Sequence, residues 1–146
     1  MAVHGRLYDL GGLDALVATK GDTPVGMLTY VIEDDALEVV SCDADPVGCG
    51  VGRALVGAAV DLARQRTLSR VWATTTNDNL AALGFWQAVG FRLAALRPDA
   101  VREARLLKAA IPERGHRGLP IRDEIDVEMI LGDANDSELA PSPRHA

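Results

Sequence analysis

The chain has 146 residues, of which 48% are hydrophobic and 25% charged, a composition typical of one globular domain with a single buried core. Its net charge of -6 argues against nucleic-acid binding, because an acidic surface repels phosphate backbones. The first ten residues do not resemble a signal peptide, and no apolar run approaches the ~20 residues of a membrane span. We therefore expect a cytoplasmic protein without membrane contact.

Three strand patterns open the chain. They cover Leu13–Lys20, Pro24–Ile32 and Ala36–Cys42, and they are separated by the turn residues Gly21-Asp22 and by Glu33-Asp34-Asp35, which we expect to be a solvated turn. Strands joined by such short turns predict an antiparallel meander.

The clearest helix follows a loop at 43–52. Its apolar residues recur at helical spacing from Val51 to Ala63, and polar residues occupy the opposite face. The next strand, Arg70–Thr74, follows this helix, so a right-handed crossover should make it parallel to Ala36–Cys42.

The remaining elements alternate. We predict a helix at Asn79–Ala88 with Asn77 or Asp78 as its N-cap, a strand at Phe91–Leu96, a helix at Pro98–Ala109 and a strand at Ile125–Leu131. The order β-β-β-α-β-α-β-α-β indicates one α+β domain over residues 1–131, with a mixed, mostly antiparallel sheet flanked by helices. Residues 132–146 read as a disordered tail.

The loop before the first helix is the most informative segment. Glycines let its backbone turn sharply, and a helix N-terminus offers free N–H groups and a positive dipole end, so this loop suits a phosphate or pyrophosphate. A P-loop is excluded because Gly52 is followed by Arg53-Ala54 rather than by Lys and a hydroxyl residue. A Rossmann loop fits poorly, because Arg53 occupies the position of its last glycine.

Three segments in order resemble the GNAT superfamily of N-acetyltransferases. Gly48–Leu55 resembles its cofactor loop, Asn77–Trp86 its next helix, and Val89-Gly90-Phe91 the start of the following strand. Pro112–Glu124 also resembles a loop of bacterial members, and the likeness spans about Leu13 to Leu131.

The resemblance implies a GNAT-like acyl-CoA N-acyltransferase fold, with the family's parallel β4–β5 pair splayed into a V between Ala36–Cys42 and Arg70–Thr74. It implies acetyl-CoA as acyl donor, no metal, and a primary amine of a small molecule or peptide as acceptor, attacked directly in a ternary complex. A backbone N–H near Val40 or Ser41 would polarise the thioester carbonyl. The residues expected to bind the cofactor are Val40, Ser41, Val47, Gly48, Cys49, Gly50, Val51, Gly52, Arg53, Ala54, Asn77, Asn79, Phe85 and Trp86.

Two positions depart from the family pattern, and the chain begins late relative to it. Val47 stands where the family has Arg or Gln, and Trp86 stands where many relatives have the tyrosine that serves as general acid. A catalytically impaired acyl-CoA-binding module or an interaction protein is therefore the alternative function, and a homodimer that completes the acceptor groove is a further hypothesis.

Glu38 is the candidate general base, because it lies in an otherwise apolar strand at the start of the V. The structural alternative is that Glu38 points outward to solvent, as any strand residue can. Ser41 and Asp43 are the other candidates for the base, with a water relay between them and the amine.

Several other residues also have a structural interpretation. Helix capping competes with cofactor contact for Asn77 and Asn79, and core packing competes with it for Phe85 and Trp86. We expect no catalytic or metal role for the two cysteines, and we expect solvated side chains at the residues His4, His116, Arg102, Arg105 and Lys108.

Overall fold

A computed structural model describes the backbone of residues 2–3, 6–7, 10–45 and 50–132, and side chains in 11–45 and 50–132. The expected tail at 133–146 and the loop residues Val47, Gly48 and Cys49 lie outside these ranges, as does His4. Within them, no helix is long and apolar enough to cross a membrane.

Eight strands and three helices make up the described fold. The strands are β1 (Ala2–Val3), β2 (Arg6–Leu7), β3 (Asp14–Lys20), β4 (Thr23–Glu33), β5 (Ala36–Ala44), β6 (Arg70–Thr76), β7 (Arg92–Arg97) and β8 (Glu124–Ile130). The helices are α1 (Val51–Gln65), α2 (Leu80–Ala88) and α3 (Ala100–Leu107). From β3 onward the order is the predicted one, although the predicted ends move by one or two residues and β1 and β2 were not foreseen.

Six strands form one sheet in the order β3-β4-β5-β6-β8-β7, and β1 pairs with β2 separately. The meander of β3, β4 and β5 is antiparallel, as predicted. β5 and β6 are parallel, which confirms the residues expected to form the V. They are the third and fourth strands of this sheet in chain order, rather than the fourth and fifth.

Helix α1 buries its apolar stripe against the sheet. Leu55, Val56, Ala59 and Ala63 are the buried residues of the helix, and they pack into a core with strand residues such as Leu37. The predicted periodicity therefore identifies the buried face of α1 correctly. This packing places the N-terminus of α1 beside the start of β4 and the end of β5.

Gly26 in β4 permits the close approach of α1. A Cβ atom at Gly26 would lie 2.6 Å from Cγ1 of Val51 and 3.0 Å from both the backbone oxygen of Asp43 and Cδ1 of Leu55. Any side chain here would push the first turn of α1 off the sheet. Gly26 thus fixes the position of the helix end that the sequence assigns to cofactor binding.

Two expectations about α2 and α3 need correction. The N-cap of α2 is Asn79, whose side-chain oxygen accepts from the backbone N of Ala82 at 3.0 Å, and not Asn77 or Asp78. Helix α3 is shorter than predicted, because Asp99 takes a left-handed conformation (φ 60°) and the extended Lys108 follows its last residue.

Candidate active site

A gap opens in the middle of the sheet between β5 and β6. The two strands pair from Ala36 with Arg70 as far as Val39 with Ala73. Beyond that point β5 continues to Ala44 and β6 to Thr76 without pairing to each other. Two central strands that part in this way form a V-shaped gap with backbone groups along both arms.

A β-bulge in β5 lies at the point of the V. Thr29 of β4 is opposite Ser41 and Tyr30 is opposite Val39, so Val40 has no partner residue in β4. Its ladder to β6 has also ended. A bulged residue leaves the regular hydrogen-bond pattern, which makes the backbone at Val40 and Ser41 suitable for contacting a carbonyl in the gap.

The N-terminus of α1 lies at the end of β5. Its N-cap, Gly50, is left-handed (φ 80°), makes no side-chain cap, and is followed by a first turn without acidic residues. The backbone oxygen of Gly50 accepts from the N of Ala54, whereas the N–H groups before Ala54 have no carbonyl within the helix. Arg53 and Ala54 are exposed. These residues fit a pyrophosphate group, which accepts hydrogen bonds and matches the positive dipole end.

Helix α2 packs beside this turn. A Cβ at Gly52 would meet the Phe85 ring at 3.5 Å, an ordinary van der Waals contact, so the first turn of α1 lies next to Phe85 of α2. Trp86 is buried and its ring centroid lies 4.7 Å from that of Phe91. Core packing therefore accounts for Trp86, and Phe85 remains half-buried between the two helices.

The two asparagines have different structural roles. Asn79 caps α2, and its contact to a cofactor stays a prediction. The Asn77 side chain donates to the carbonyl of Pro120 at 2.9 Å and accepts from the backbone N of Arg122 and of Asp123 at 3.0 and 2.9 Å. Its amide thus ties the end of β6 to the loop before β8.

Glu38 is buried, with 5% of its surface exposed, and is opposite Val31 in β4 and Trp72 in β6. The alternative that it points to solvent is therefore wrong. Its neighbours Leu37 and Val39 belong to the core that α1 covers, so Glu38 lies on the opposite face of the sheet. There it lines a pocket of about 320 Å³. The turn residues Glu33, Asp34 and Asp35 are exposed at the rim of this pocket, as expected for a solvated turn.

Two other polar residues of β5, Ser41 and Cys42, have side chains that are held by a neighbour or kept protonated. Ser41 is nearly buried and its Oγ lies 2.5 Å from Oγ1 of Thr29. Burial, followed by the nearby charge of Asp43, raises the pKa of the Cys42 thiol to about 11. Cys42 is thus a protonated thiol at neutral pH, and the expectation that it has no catalytic role stays a prediction.

A buried charged network adjoins the β6 arm of the gap. Oγ1 of Thr74 donates to Asp126 at 2.7 Å, and Arg97 donates to both oxygens of Asp126 at 2.6 and 2.8 Å. Arg97 also donates to Glu124, which is 1% exposed. Hydrogen bonds to these carboxylates raise the pKa of Arg97 further above its usual range. This network was missed from the sequence, because its members lie 27 to 52 positions apart.

The described residues contain no group of three or more His, Cys, Asp or Glu side chains placed to hold a metal ion. The geometry consists of a split pair of parallel strands, a bulge at the split and an uncapped helix N-terminus beside it.

The sequence matches the acetyltransferase (GNAT) family over residues 4–91, and the chain belongs to this family. The resemblance inferred from the motifs is confirmed, and so is the class of enzyme: an acyl-CoA-dependent acetyltransferase.

Individual relatives support this membership. The chain is 37% identical to the Bacillus subtilis (strain 168) uncharacterized protein YxbD over 126 residues, which cover 86% of this chain and 79% of that protein. It is 36% identical to the Escherichia coli (strain K12) peptidyl-lysine N-acetyltransferase YjaB over 79 residues, which cover 53% and 48% of the two chains.

Solved structures share the fold. A Bacillus subtilis acetyltransferase in complex with CoA matches with a TM-score of 0.72 and 21% identity, over 84% of this chain and 80% of that one. A GNAT family acetyltransferase from Elizabethkingia anophelis with acetyl-CoA bound matches with a TM-score of 0.70 and 20% identity, over 84% and 78%.

Proposed function

We propose that the protein transfers an acetyl group from acetyl-CoA to a primary amine of a small molecule or peptide, by direct attack in a ternary complex. The observation that carries this proposal is the V-shaped gap between β5 and β6, which opens next to the uncapped N-terminus of α1. The gap supplies a channel for an extended thioester arm, and the helix end supplies N–H groups for its pyrophosphate.

The chain's own groups divide the work. The backbone at Gly50, Val51 and Gly52 holds the pyrophosphate, with Arg53 adding positive charge. The motif also assigns Val47, Gly48 and Cys49, which lie outside the described residues, to cofactor binding. The N–H at Val40 or Ser41 stabilises the oxyanion that forms when the amine nitrogen attacks the thioester carbonyl. Glu38 takes the proton from the amine, directly or through water.

The departing group leaves without a proton donor on α2. Trp86 replaces the tyrosine of many relatives and is buried in the core. The carbon–sulfur bond therefore breaks to give a thiolate, which takes its proton from water. Bringing amine and thioester together supplies much of the rate enhancement.

The experiment that tests this function is a calorimetric titration with acetyl-CoA, free CoA and NADH. We expect micromolar binding of the first two and none of NADH. Gly50→Glu should abolish that binding, because it places a negative charge at the pyrophosphate site. Gly57→Glu, on the exposed side of α1 with nothing within 4 Å of its Cβ position, is the matched control and should bind normally.

If Gly50→Glu bound acetyl-CoA with the wild-type affinity, the pyrophosphate site could not lie at the N-terminus of α1. Binding without acetylation of any amine in a broad panel would instead favour the second candidate, an acyl-CoA-binding module without catalysis. The buried Trp86 in place of an acid is the observation that keeps this candidate in view.

A further inference from the structure

Two buried hydroxyl groups lie beside the bulge in β5. Thr29 of β4 and Ser41 of β5 are opposite each other, at the pair where the register shifts. Thr29 is 1% exposed and Ser41 is 9% exposed, and their oxygens Oγ1 and Oγ are 2.5 Å apart. Burying two hydroxyls costs more desolvation than burying two apolar groups of the same shape. Packing alone therefore does not account for this pair.

The pair contains one hydroxyl proton more than its members can share. Each hydroxyl has one proton to donate, and only one proton can lie between the two oxygens. Among the residues that the structure describes, neither oxygen has a further hydrogen bond. A buried donor without an acceptor is rare in folded proteins. One of the two protons is therefore available to a ligand.

Arg105 of α3 carries another buried donor, but away from the gap. Contrary to the solvated side chain expected from the sequence, its Nη2 donates to the carbonyls of Pro112 and Ile121, each at 2.8 Å. Its Nε is buried without an acceptor. The gap is bordered by β5 and β6, so a thioester held there can use the hydroxyl pair at the bulge and not α3.

Ser41 is the member of the pair that borders the gap. The strand order places β5 between β4 and the gap, so Thr29 lies on the far side of Ser41. When Thr29 donates to Ser41, the proton of Ser41 is the one that remains. Ser41 also has one of the two backbone N–H groups assigned to the thioester carbonyl, and only Cα and Cβ separate this nitrogen from Oγ. One carbonyl oxygen can therefore accept from both groups.

We propose that the Ser41 hydroxyl donates a hydrogen bond to the thioester oxygen, and that Thr29 is the positioning residue that directs it. The inference rests on the proposed acetyl transfer and adds a side-chain donor to the backbone contact. As the amine nitrogen bonds to the carbonyl carbon, negative charge develops on this oxygen and strengthens the hydrogen bond. The proton stays on Ser41, and the C=O bond re-forms when the carbon–sulfur bond breaks.

The first test compares acetyl-CoA with S-ethyl-CoA, a thioether in which a CH₂ group replaces the carbonyl. Calorimetry should show that the wild-type protein binds acetyl-CoA roughly three- to tenfold more tightly. Ser41→Ala and Thr29→Val should both lower this ratio, whereas Thr29→Ser, which keeps a hydroxyl, should retain it. Thr19→Val, at an exposed position on β3, is the control. The ratio needs no acceptor, so it can be measured before the amine is known.

The double variant Thr29→Val/Ser41→Ala separates catalysis from packing. It removes both hydroxyls and leaves no buried donor unpaired, so its free energy of unfolding should be close to that of the wild type. With an amine that the wild-type protein acetylates, kcat should nevertheless fall roughly 10- to 100-fold, because a hydrogen bond to a charged oxygen is lost. The affinity for acetyl-CoA should fall by less than kcat, since the charge develops only during the reaction.

A double variant with either the wild-type kcat or the wild-type ratio of affinities would overturn the inference, because the hydroxyl pair would then serve only the fold. Failure of the proposed function would look different. The wild-type protein would then bind neither acetyl-CoA nor S-ethyl-CoA, since both carry the pyrophosphate and the same thioester or thioether arm.

Discussion

Glu38 combines burial with a position on a strand next to the split of the sheet. Its carboxylate lies in register with Val31 and Trp72, one residue before the last pair of the β5–β6 ladder. A carboxylate placed there faces the pocket away from α1 and sits close to the bulge at Val40. This arrangement suits removal of a proton from an amine that attacks a carbonyl held at the bulge.

The first prediction concerns Glu38→Gln, which keeps the shape and removes the base. We expect kcat to fall by about 100-fold, because a positioned base contributes at least that much, while the affinity for acetyl-CoA is unchanged. Steady-state kinetics together with calorimetry measure both quantities. Asp61→Asn, an exposed acid on α1, is the control. A variant with wild-type kcat would exclude Glu38 as the base.

A second prediction follows from the raised pKa of Cys42. With a value of about 11 rather than the ordinary 9.0, the folded protein keeps this thiol protonated at pH 8. Alkylation by iodoacetamide should then be roughly 100-fold slower than for a free cysteine, since only the thiolate reacts. The rate should rise about tenfold per pH unit toward pH 11.

Mass spectrometry of a Cys49→Ser variant follows this reaction at Cys42 alone. The unfolded protein in urea provides the reference rate. Rapid labelling of the folded variant at pH 8 would contradict the burial of the thiol.

At the scale of elements, the position of α1 depends on a residue from another element. Gly26 lies on β4, yet it sets the height of the first turn of α1 above the sheet. Helical periodicity identifies the buried face of α1, but it carries no information about the strand residue beneath. From the sequence alone, a glycine within a strand predicts only that the strand is less stable.

The third prediction is that Gly26→Ala destabilises the protein by about 1–3 kcal/mol, because the new methyl group overlaps Val51 and a backbone oxygen. It should also weaken acetyl-CoA binding by displacing the helix N-terminus. Urea denaturation and calorimetry measure the two effects.

Gly57→Ala is the matched control. No atom lies within 4 Å of the Cβ position at Gly57. The substitution should therefore raise the free energy of unfolding by about 0.5–1 kcal/mol, because alanine has a higher helix propensity than glycine. Adding Val51→Ala to Gly26→Ala should restore part of the lost stability. A neutral Gly26→Ala would show that the helix is not held at this height.

Local sequence patterns predicted the type and the order of the strands and helices. They did not predict features that depend on contacts between elements, such as the bulge in β5 and the N-cap of α2. Apolar and β-branched runs bounded by turn residues located the strands of the main sheet. Helical periodicity located α1, and signals at the helix ends located α2 and α3. The bulge at Val40 was not predicted, because it depends on the register between β4 and β5. The N-cap of α2 was misplaced because Asn77, Asp78 and Asn79 are all good caps, and only contacts to the 115–123 segment show why the first two are otherwise engaged.

Across the whole molecule, one arginine joins the three strands on the far side of the gap. Arg97 of β7 bonds Glu124 and Asp126 of β8, and Asp126 in turn accepts from Thr74 of β6. Distances between these residues along the sequence are large, so no local pattern signals them. The network links the β6 arm to β8 and β7. The family, by contrast, was recognised from motifs that are contiguous in sequence, and the cofactor-binding residues inferred from them stay a prediction.

The fourth prediction is that Arg97→Gln lowers the free energy of unfolding by about 2–4 kcal/mol, because it leaves two buried carboxylates with fewer partners. Arg92→Gln, which removes a 70% exposed partner of Glu128, should cost less than about 1 kcal/mol. Denaturant unfolding measures both variants. Similar losses for the two would show that burial does not distinguish these pairs.

The gap between β5 and β6 also gives the sheet two additional edges in its interior. Unpaired backbone at a strand edge invites another extended chain to add to it. A small molecule that fills the gap satisfies these groups and binds only the folded state, so it stabilises the protein by mass action. The melting temperature, and with it the lifetime of the protein against aggregation, should then follow the supply of its own acyl donor.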